Sequence, residues 1–338
     1  MNYMIWNVRG TGARSFPALV RDLKNHYQLD FIAILETRCA KELSAGRTRN
    51  LGFPHMELID SEGYSGGIWC FWDRAVSQVA VEERHHQYIH LKITNATNQT
   101  WMLTVVYASP SSANRRNLWS NLSRIAPMVQ GTWLIGGDLN GTMLQCERRS
   151  SATVRNSTDR DLINWVDMND MRDIRFVGPE FTWKRGTSEA RLDRMLGNDH
   201  WYTMFPNVVV SHLPFYKSDH RPLLLRLDTA AGQPRPNRPF RFIAAWVLHE
   251  HFEEFMKQHW EQDSRWTHNI SQFSRACSEW NKEVFKHMEG RKKRLLRRLD
   301  GINRVVTRYG SQPRYEDLQL SIWKELEDVL LQESLVWA

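Results

Sequence analysis

The sequence predicts an α+β protein in which two β-sheets pack face to face under helices, followed by a helical carboxyl-terminal segment. Three observations carry this prediction. Short apolar runs of strand character recur through residues 1–228; several follow one another with no helical stretch between them; and past residue 239 the apolar period becomes helical. Consecutive strands argue for a sheet sandwich flanked by helices rather than a strictly alternating strand–helix fold.

In chain order, a strand is expected over residues 3–7, a helix over 16–27, and strands over 30–36, 67–72, 87–94 and 101–107. A helix over 114–129 leads to the apolar run 132–138, read as a strand. A helix over 159–171 and strands over 208–212 and 222–227 complete the first part. Thr229 to Pro239 holds three prolines and a glycine, which neither a helix nor a central strand tolerates, so it reads as a linker. The expected organisation is therefore a domain over 1–228, a linker over 229–239 and a helical hairpin region over 240–338.

In that last region Phe252, Phe255, Met256 and Trp260 form one stripe, and Ile270, Phe273, Cys277, Trp280 and Val284 another. The seam resumes at Met288, Leu295, Leu299, Ile302, Val306 and Tyr309. It breaks at Gly310 to Pro313, then restarts at Tyr315, Leu318, Ile322, Leu326 and Val329. Without a partner these stripes would expose apolar surface, so self-association or partner binding through this region is an expectation. The basic run Arg291 to Arg298 reads either as a solvated helix face or as a nucleic-acid or nuclear-import patch.

Composition narrows the class. With 338 residues, 41% of them hydrophobic and 25% charged, the chain can bury a large core and reads as globular. No apolar run reaches the roughly 18 residues that span a bilayer, and no signal-peptide pattern follows Met1, so no membrane role and an intracellular location are expected. The four cysteines show no C-x-x-C pairing, which argues against a disulfide framework and a thiolate zinc site. A net charge of +7 points to an anionic partner, nucleic acid first.

The most informative residues close the run Thr132 to Asn140. Asp138 and Asn140 stand two apart at a strand end, so extended geometry turns both to one side and Leu139 back into protein. A turn or helix cap explains such a pair as well. Asn7 closes the first strand and Glu36 the second, where a buried carboxylate needs a cation or donors. Tyr107 at its strand end reads as packing or as a contact. Asp219 and His220, as neighbours, face different surroundings, and His220 needs an orienting carboxylate, for which Asp193 is the candidate.

Taken in order, Trp6 to Gly12, Leu35 to Arg38, Ser65-Gly66-Gly67, Gly136 to Asn140, Arg191 to Arg194 and Ser218-Asp219-His220 resemble the motifs of the endonuclease/exonuclease/phosphatase superfamily. They look most like the apurinic/apyrimidinic-endonuclease-like domain of plant LINE-type (non-LTR) retrotransposons. Arg238 to Phe242 with Ala245-Trp246 looks like that family's connector toward its reverse transcriptase. The resemblance implies a four-layer α/β/β/α sandwich and a nuclear Mg2+-dependent DNA endonuclease, with Mn2+ as a substitute and no small-molecule cofactor. Such an enzyme nicks one strand and leaves a 3′ hydroxyl. It also implies Glu36 as the principal metal ligand with Asn7 and Asp219 nearby, and Asp138 orienting or deprotonating the attacking water, with Asn140 holding its carboxylate and the phosphate. Tyr107 and His220 are then phosphate contacts, Asp193 orients the imidazole, and Thr182 and Ser218 support the phosphate from the second row. Because no polymerase motif follows, a truncated element is expected. The alternatives are a catalytically inactive fragment that only binds, or a phosphodiesterase of the same superfamily acting on another substrate. Magnesium prefers few carboxylates and all-oxygen ligands, which suits Glu36, Asp219 and Asn7.

Overall fold

The computed structural model describes residues 1–49, 51–61, 66–73, 77–149, 158–227, 251–260, 266–310 and 312–336. The expected linker over 229–239, the connector-like run Arg238 to Trp246 and Ser65 lie outside these residues. In chain order the elements are β1 (Asn2–Asn7), α1 (Phe16–Tyr27), β2 (Phe31–Leu35), α2 (Lys41–Thr48), β3 (His55–Ile59), β4 (Ile68–Trp72), β5 (Ser77–His85), β6 (Tyr88–Asn95), β7 (Thr100–Tyr107) and α3 (Ser112–Ile125). Next come β8 (Trp133–Asp138), β9 (Arg148–Arg149), α4 (Arg160–Met168), β10 (Arg172–Asp173), β11 (Phe176–Val177), β12 (Trp183–Arg185), β13 (Ser188–Ala190), β14 (Asp193–Gly197), α5 (Asp199–Met204), β15 (Val210–His212) and β16 (Leu223–Arg226). The chain closes with α6 (Phe252–His259), α7 (Trp266–Tyr309) and α8 (Pro313–Val336).

One sheet runs β11-β15-β16-β1-β2-β4-β3 and the other β10-β14-β8-β7-β6-β5, with β12-β13-β9 as a small third sheet. Each large sheet holds one parallel pair near its centre, β1 with β2 and β7 with β8. A parallel pair needs a crossover, which α1 and α3 supply. The carboxyl ends of a parallel pair share one edge of the sheet, so Asn7 and Glu36 leave one sheet together, as do Tyr107 and Asp138 the other.

Side-chain alternation builds the layers. On β1, Tyr3 and Ile5 enter the core between the sheets with Phe31, Leu91, Val105 and Leu134, while Met4 and Trp6 face α1 through Leu19 and Leu23. On the far side, Val106, Trp133 and Ile135 pack against Leu118 and Leu122 of α3 and Trp165 of α4. The result is the expected four-layer α/β/β/α sandwich. Gly136 and Gly137 allow close approach within it: a Cβ on Gly136 would stand 2.7 Å from Ile5 Cδ1 of the opposing sheet, and one on Gly137 (φ +148°) 1.9 Å from the Val106 carbonyl oxygen.

The helix expected over 114–129 gives way at Ala126–Met128 to a 3-10 turn containing Pro127, and the helix expected over 159–171 ends at Met168. The hairpin breaks at Gly310 as expected, but Tyr309 and Leu318 of the expected seam are exposed rather than buried. Leu295, Leu299, Ile302, Val306, Ile322, Leu326 and Val329 are buried in the same core cluster as α1 and the outer face of β1. The apolar surface behind the expectation of self-association is thus covered within the chain over this part of the seam. Polar ties reinforce the junction: Lys292 Nζ donates to Asp22 at 2.9 Å, and Tyr27 Oη to Asp300 at 2.8 Å. In the basic run, Lys292 is therefore buried while Lys293, Arg294, Arg297 and Arg298 face solvent. Phe252, Phe255, Phe273 and Cys277 form a separate small core between α6 and the start of α7. Among the described residues no helix is long and apolar enough to cross a membrane.

Leu299 is fully buried at this junction. Leu299→Ala should cost about 2–5 kcal/mol and lower the melting temperature of one shared transition. A calorimetric trace in which a separate minor transition alone moves would contradict the shared core.

Candidate active site

The four strand ends converge where the sheets meet. Asn7 is fully buried, and its Nδ2 donates to Glu36 Oε2 at 3.0 Å and to Asp138 Oδ2 at 2.8 Å, joining one sheet to the other. Its Oδ1 accepts from the Arg9 N–H at 3.0 Å. Strand β8 stops at Asp138, and Asn140 takes φ +46°, so the pair shares a side through a turn rather than through extended alternation. The Asn140 N–H donates to Asp138 Oδ1 at 2.9 Å, and its side-chain amide reaches Asp138 Oδ2 at 3.1 Å and the Ala108 carbonyl at 2.7 Å. Leu139 turns back into the core as expected.

β14 pairs antiparallel with β8 so that Asp193 lies opposite Asp138. His220 stands between them: Nδ1 is 2.9 Å from Asp193 Oδ2, and Nε2 is 3.9 Å from Asp138 Oδ2. The His220 carbonyl accepts from Trp6 Nε1 at 3.1 Å, fixing the backbone that carries the ring. Thr182 and Ser218 work on the backbone. Thr182 Oγ1 accepts from the N–H groups of Leu192 and Asp193, while Ser218 Oγ donates to the Asn7 carbonyl and accepts from the His220 N–H. Tyr107 is buried beside Glu36 and Asp138.

Burial pushes the Asp138 carboxyl up to about 7; His220 opposes this, Asp193 adds to it, and Asn7 and Asn140 oppose it through hydrogen bonds. Burial alone would lower the His220 imidazole, but Asp193 and Asp138 outweigh it and raise the ring to about 9. Burial and then the Glu36 and Asp138 charges push the Tyr107 phenol well above its ordinary value, so it remains an O–H donor at neutral pH.

Asp219 faces away from His220, as expected for neighbours. It pairs with Arg9 and accepts from Trp183 Nε1 at 3.1 Å, while its buried Oδ1 has no hydrogen-bond partner. Glu36 receives Arg38 at Oε1, with Arg9 at 3.8 Å. Two groupings thus compete for a metal. Asp138, Asp193 and His220 present ligand atoms within 4.8 Å of one another. Their imidazole is already hydrogen-bonded to a carboxylate and held protonated, which suits proton handling. Glu36 and Asp219, both reached by Arg9, offer only oxygen donors, the chemistry a hard divalent cation prefers, and Asp219 Oδ1 is without a hydrogen-bond partner.

Arg9 and Arg38, which hold site carboxylates, and Trp183, which donates to Asp219, were not singled out in the sequence, although both arginines lie within recognised runs. The available signal is conformational. Arg9 (φ +49°), Glu36 (+53°), Arg38 (+48°) and Asn140 (+46°) are non-glycine residues with positive φ, all at this edge.

This sandwich is a fold that several solved nucleases share. The AP endonuclease LMAP from Leishmania major superposes with a TM-score of 0.52 at 13% identity, over 68% of this chain and 88% of that one. The endonuclease domain of TRAS1, a telomere-specific non-LTR retrotransposon, gives 0.51 at 13% over 68% and 99%. An AP endonuclease from Archaeoglobus fulgidus gives 0.51 at 15% over 68% and 100%. At these identities the likeness is one of fold. No curated protein matches the sequence. The profile of the Endonuclease/Exonuclease/phosphatase family matches residues 4–220, and the chain belongs to that family, whose members are hydrolases of phosphodiester bonds.

The raised imidazole is directly measurable. His220 should titrate near 9 by NMR of its ring protons, and Asp193→Asn should move the midpoint down toward the ordinary 6.5. An unmoved midpoint would contradict the pairing.

Proposed function

We propose that the protein is a Mg2+-dependent DNA endonuclease that nicks one strand and leaves a 3′ hydroxyl, as in retrotransposon target-site cleavage. The observation that carries the reading is the chain Asp193–His220–Asp138 standing one amide, that of Asn7, away from Glu36. The motif order and the likeness in fold to a retrotransposon endonuclease domain support the finer assignment.

A water attacking phosphorus gives its proton to Asp138, whose pKa near 7 suits a base at neutral pH. The Asn140 N–H and amide hold that carboxylate in place. The P–O3′ bond breaks and O3′ takes up a proton. The charged His220 ring, fixed by Asp193, and the Tyr107 hydroxyl stabilise the negative phosphoryl oxygens. Glu36, Asn7 and Asp219 would hold the magnesium, which as a Lewis acid and template neutralises charge on the phosphate.

Supercoiled plasmid with Mg2+ should relax to open circles. EDTA should abolish this, and folded Asp138→Ala and His220→Ala should each lose about 100-fold or more in rate. A folded parent protein that nicks with neither Mg2+ nor Mn2+, or a His220→Ala protein as active as the parent, would overturn the reading.

Activity needs Asp138 ionised and His220 charged. The pH dependence of kcat/KM should therefore rise through about 7 and fall through about 9, with the two limbs belonging to the pair. A profile flat from pH 6 to 10 would remove these groups from the chemistry.

A further inference from the structure

Beside the strand-end site lies a cavity of about 680 Å³ that the proposed cleavage does not use. Its floor is Phe181, Phe215 and Tyr216 of the sandwich. Its roof is Val306 and Thr307 near the end of α7 and Trp323 of α8. The roof residues lie beyond residues 4–220, so the cavity exists only because the hairpin docks on the sandwich. Ser218 and Asp219 line both this cavity and the strand-end site.

The charge inside is unusual. Arg221 is 5% exposed. Its Nε donates to the Phe181 carbonyl at 3.1 Å, and Nη1 to the Leu213 carbonyl and Asn303 Oδ1, both at 3.1 Å. The guanidinium lies 3.9 Å over the Phe215 ring. Among the described residues no carboxylate comes within ion-pair distance of it, and Nη2 has no hydrogen-bond partner. The nearby acids are engaged elsewhere: Lys184 holds both Glu189 and Glu316, and Arg9 holds Asp219, while Glu180 is exposed. A buried, unpaired cation is costly, and Arg221 responds with a pKa lowered by burial to about 9. An anion delivered to Nη2 would relieve that cost, and the aromatic walls offer faces on which a planar ring can stack.

We propose that this cavity is a second ligand site that takes a planar aromatic ring carrying one anionic group, the chemistry of a nucleotide, with Arg221 as the anion's partner. Its volume accommodates a mononucleotide, and its mouth beside Ser218 and Asp219 gives access equally to a free nucleotide or to an unpaired nucleotide of a bound strand. The proposal does not depend on cleavage.

The test is calorimetric binding by the full chain in EDTA. The probes are deoxyadenosine 5′-monophosphate, deoxyadenosine, inorganic phosphate, a duplex with one unpaired adenosine and the fully paired duplex. Thr307 is exposed on α7, so Thr307→Trp fills the cavity without disturbing the core, and Arg221→Gln removes the cation. Melting temperatures report on folding. The monophosphate, the unpaired duplex or both should lose about tenfold or more in affinity in Thr307→Trp, while the paired duplex is unchanged. Loss for the monophosphate identifies a free nucleotide, and loss for the unpaired duplex alone identifies a nucleotide of the strand. The monophosphate, which needs no contact with the strand-end site, should bind His220→Ala as it binds the parent, which separates this site from the catalytic one even if no nicking is seen. If the parent binds neither probe, or a folded Thr307→Trp binds both as tightly as the parent, the site does not exist.

Discussion

The two sheets are held in register at their functional edge by one side-chain amide. Asn7 donates one hydrogen to Glu36 of its own sheet and the other to Asp138 of the opposite sheet, with no exposure to solvent. An amide in this position is neutral, so it satisfies two buried carboxylates without supplying a counter-charge. It also costs less to desolvate than a lysine or arginine would. Much else at the edge follows from it. Ser218 braces the Asn7 carbonyl and the His220 N–H, so the imidazole's position is referred to the same strand end that sets the carboxylates. Close approach of the sheets at Gly136 brings β8 near enough to β1 for the amide to reach across.

What the sequence disclosed largely tracks burial; β14 is the exception, fully buried yet not expected as a strand because it opens on Asp193-Arg194 and ends on Gly197 and so carries no apolar run. β1, β2, β4, β7 and β8 were legible because central strands covered on both faces are continuously apolar. β3 and β5 were missed because they are edge strands, half exposed and rich in charge, and α2 because it carries almost no apolar stripe. The same logic governs the site. Asp138, Asn140 and Glu36 stand at or just past the ends of buried strands, as polar residues where an apolar run stops, whereas His220 precedes β16 and was visible only in its Ser-Asp-His run. Arg9 and Arg38 do not stand out, because an arginine two or three residues past a strand is ordinary; only the left-handed backbone there turns each onto a carboxylate. The seam of α7 and α8 was visible, but its cover was not. Leu299 meets Leu23 of α1 only through the fold, and no local period records so distant a partner.

The balance of charge at the edge ties the geometry to the chemistry. Four carboxylates, those of Glu36, Asp138, Asp193 and Asp219, stand against three cations, the guanidiniums of Arg9 and Arg38 and the His220 imidazolium. With Asp138 ionised the cluster carries one net negative charge. A divalent cation alone would overshoot that charge, and a phosphodiester alone would deepen it; the two together bring the site to neutrality. Within the cluster, Arg9 and Arg38 hold carboxylates that a cation would otherwise hold. If Glu36 and Asp219 hold a cation as proposed, each guanidinium freed from them would present a fork of donors suited to the non-bridging oxygens of a phosphate. The arginines would then be counter-ions in one state of charge and phosphate partners in the other, which makes cations so close to the metal-ligand candidates compatible with the proposed site.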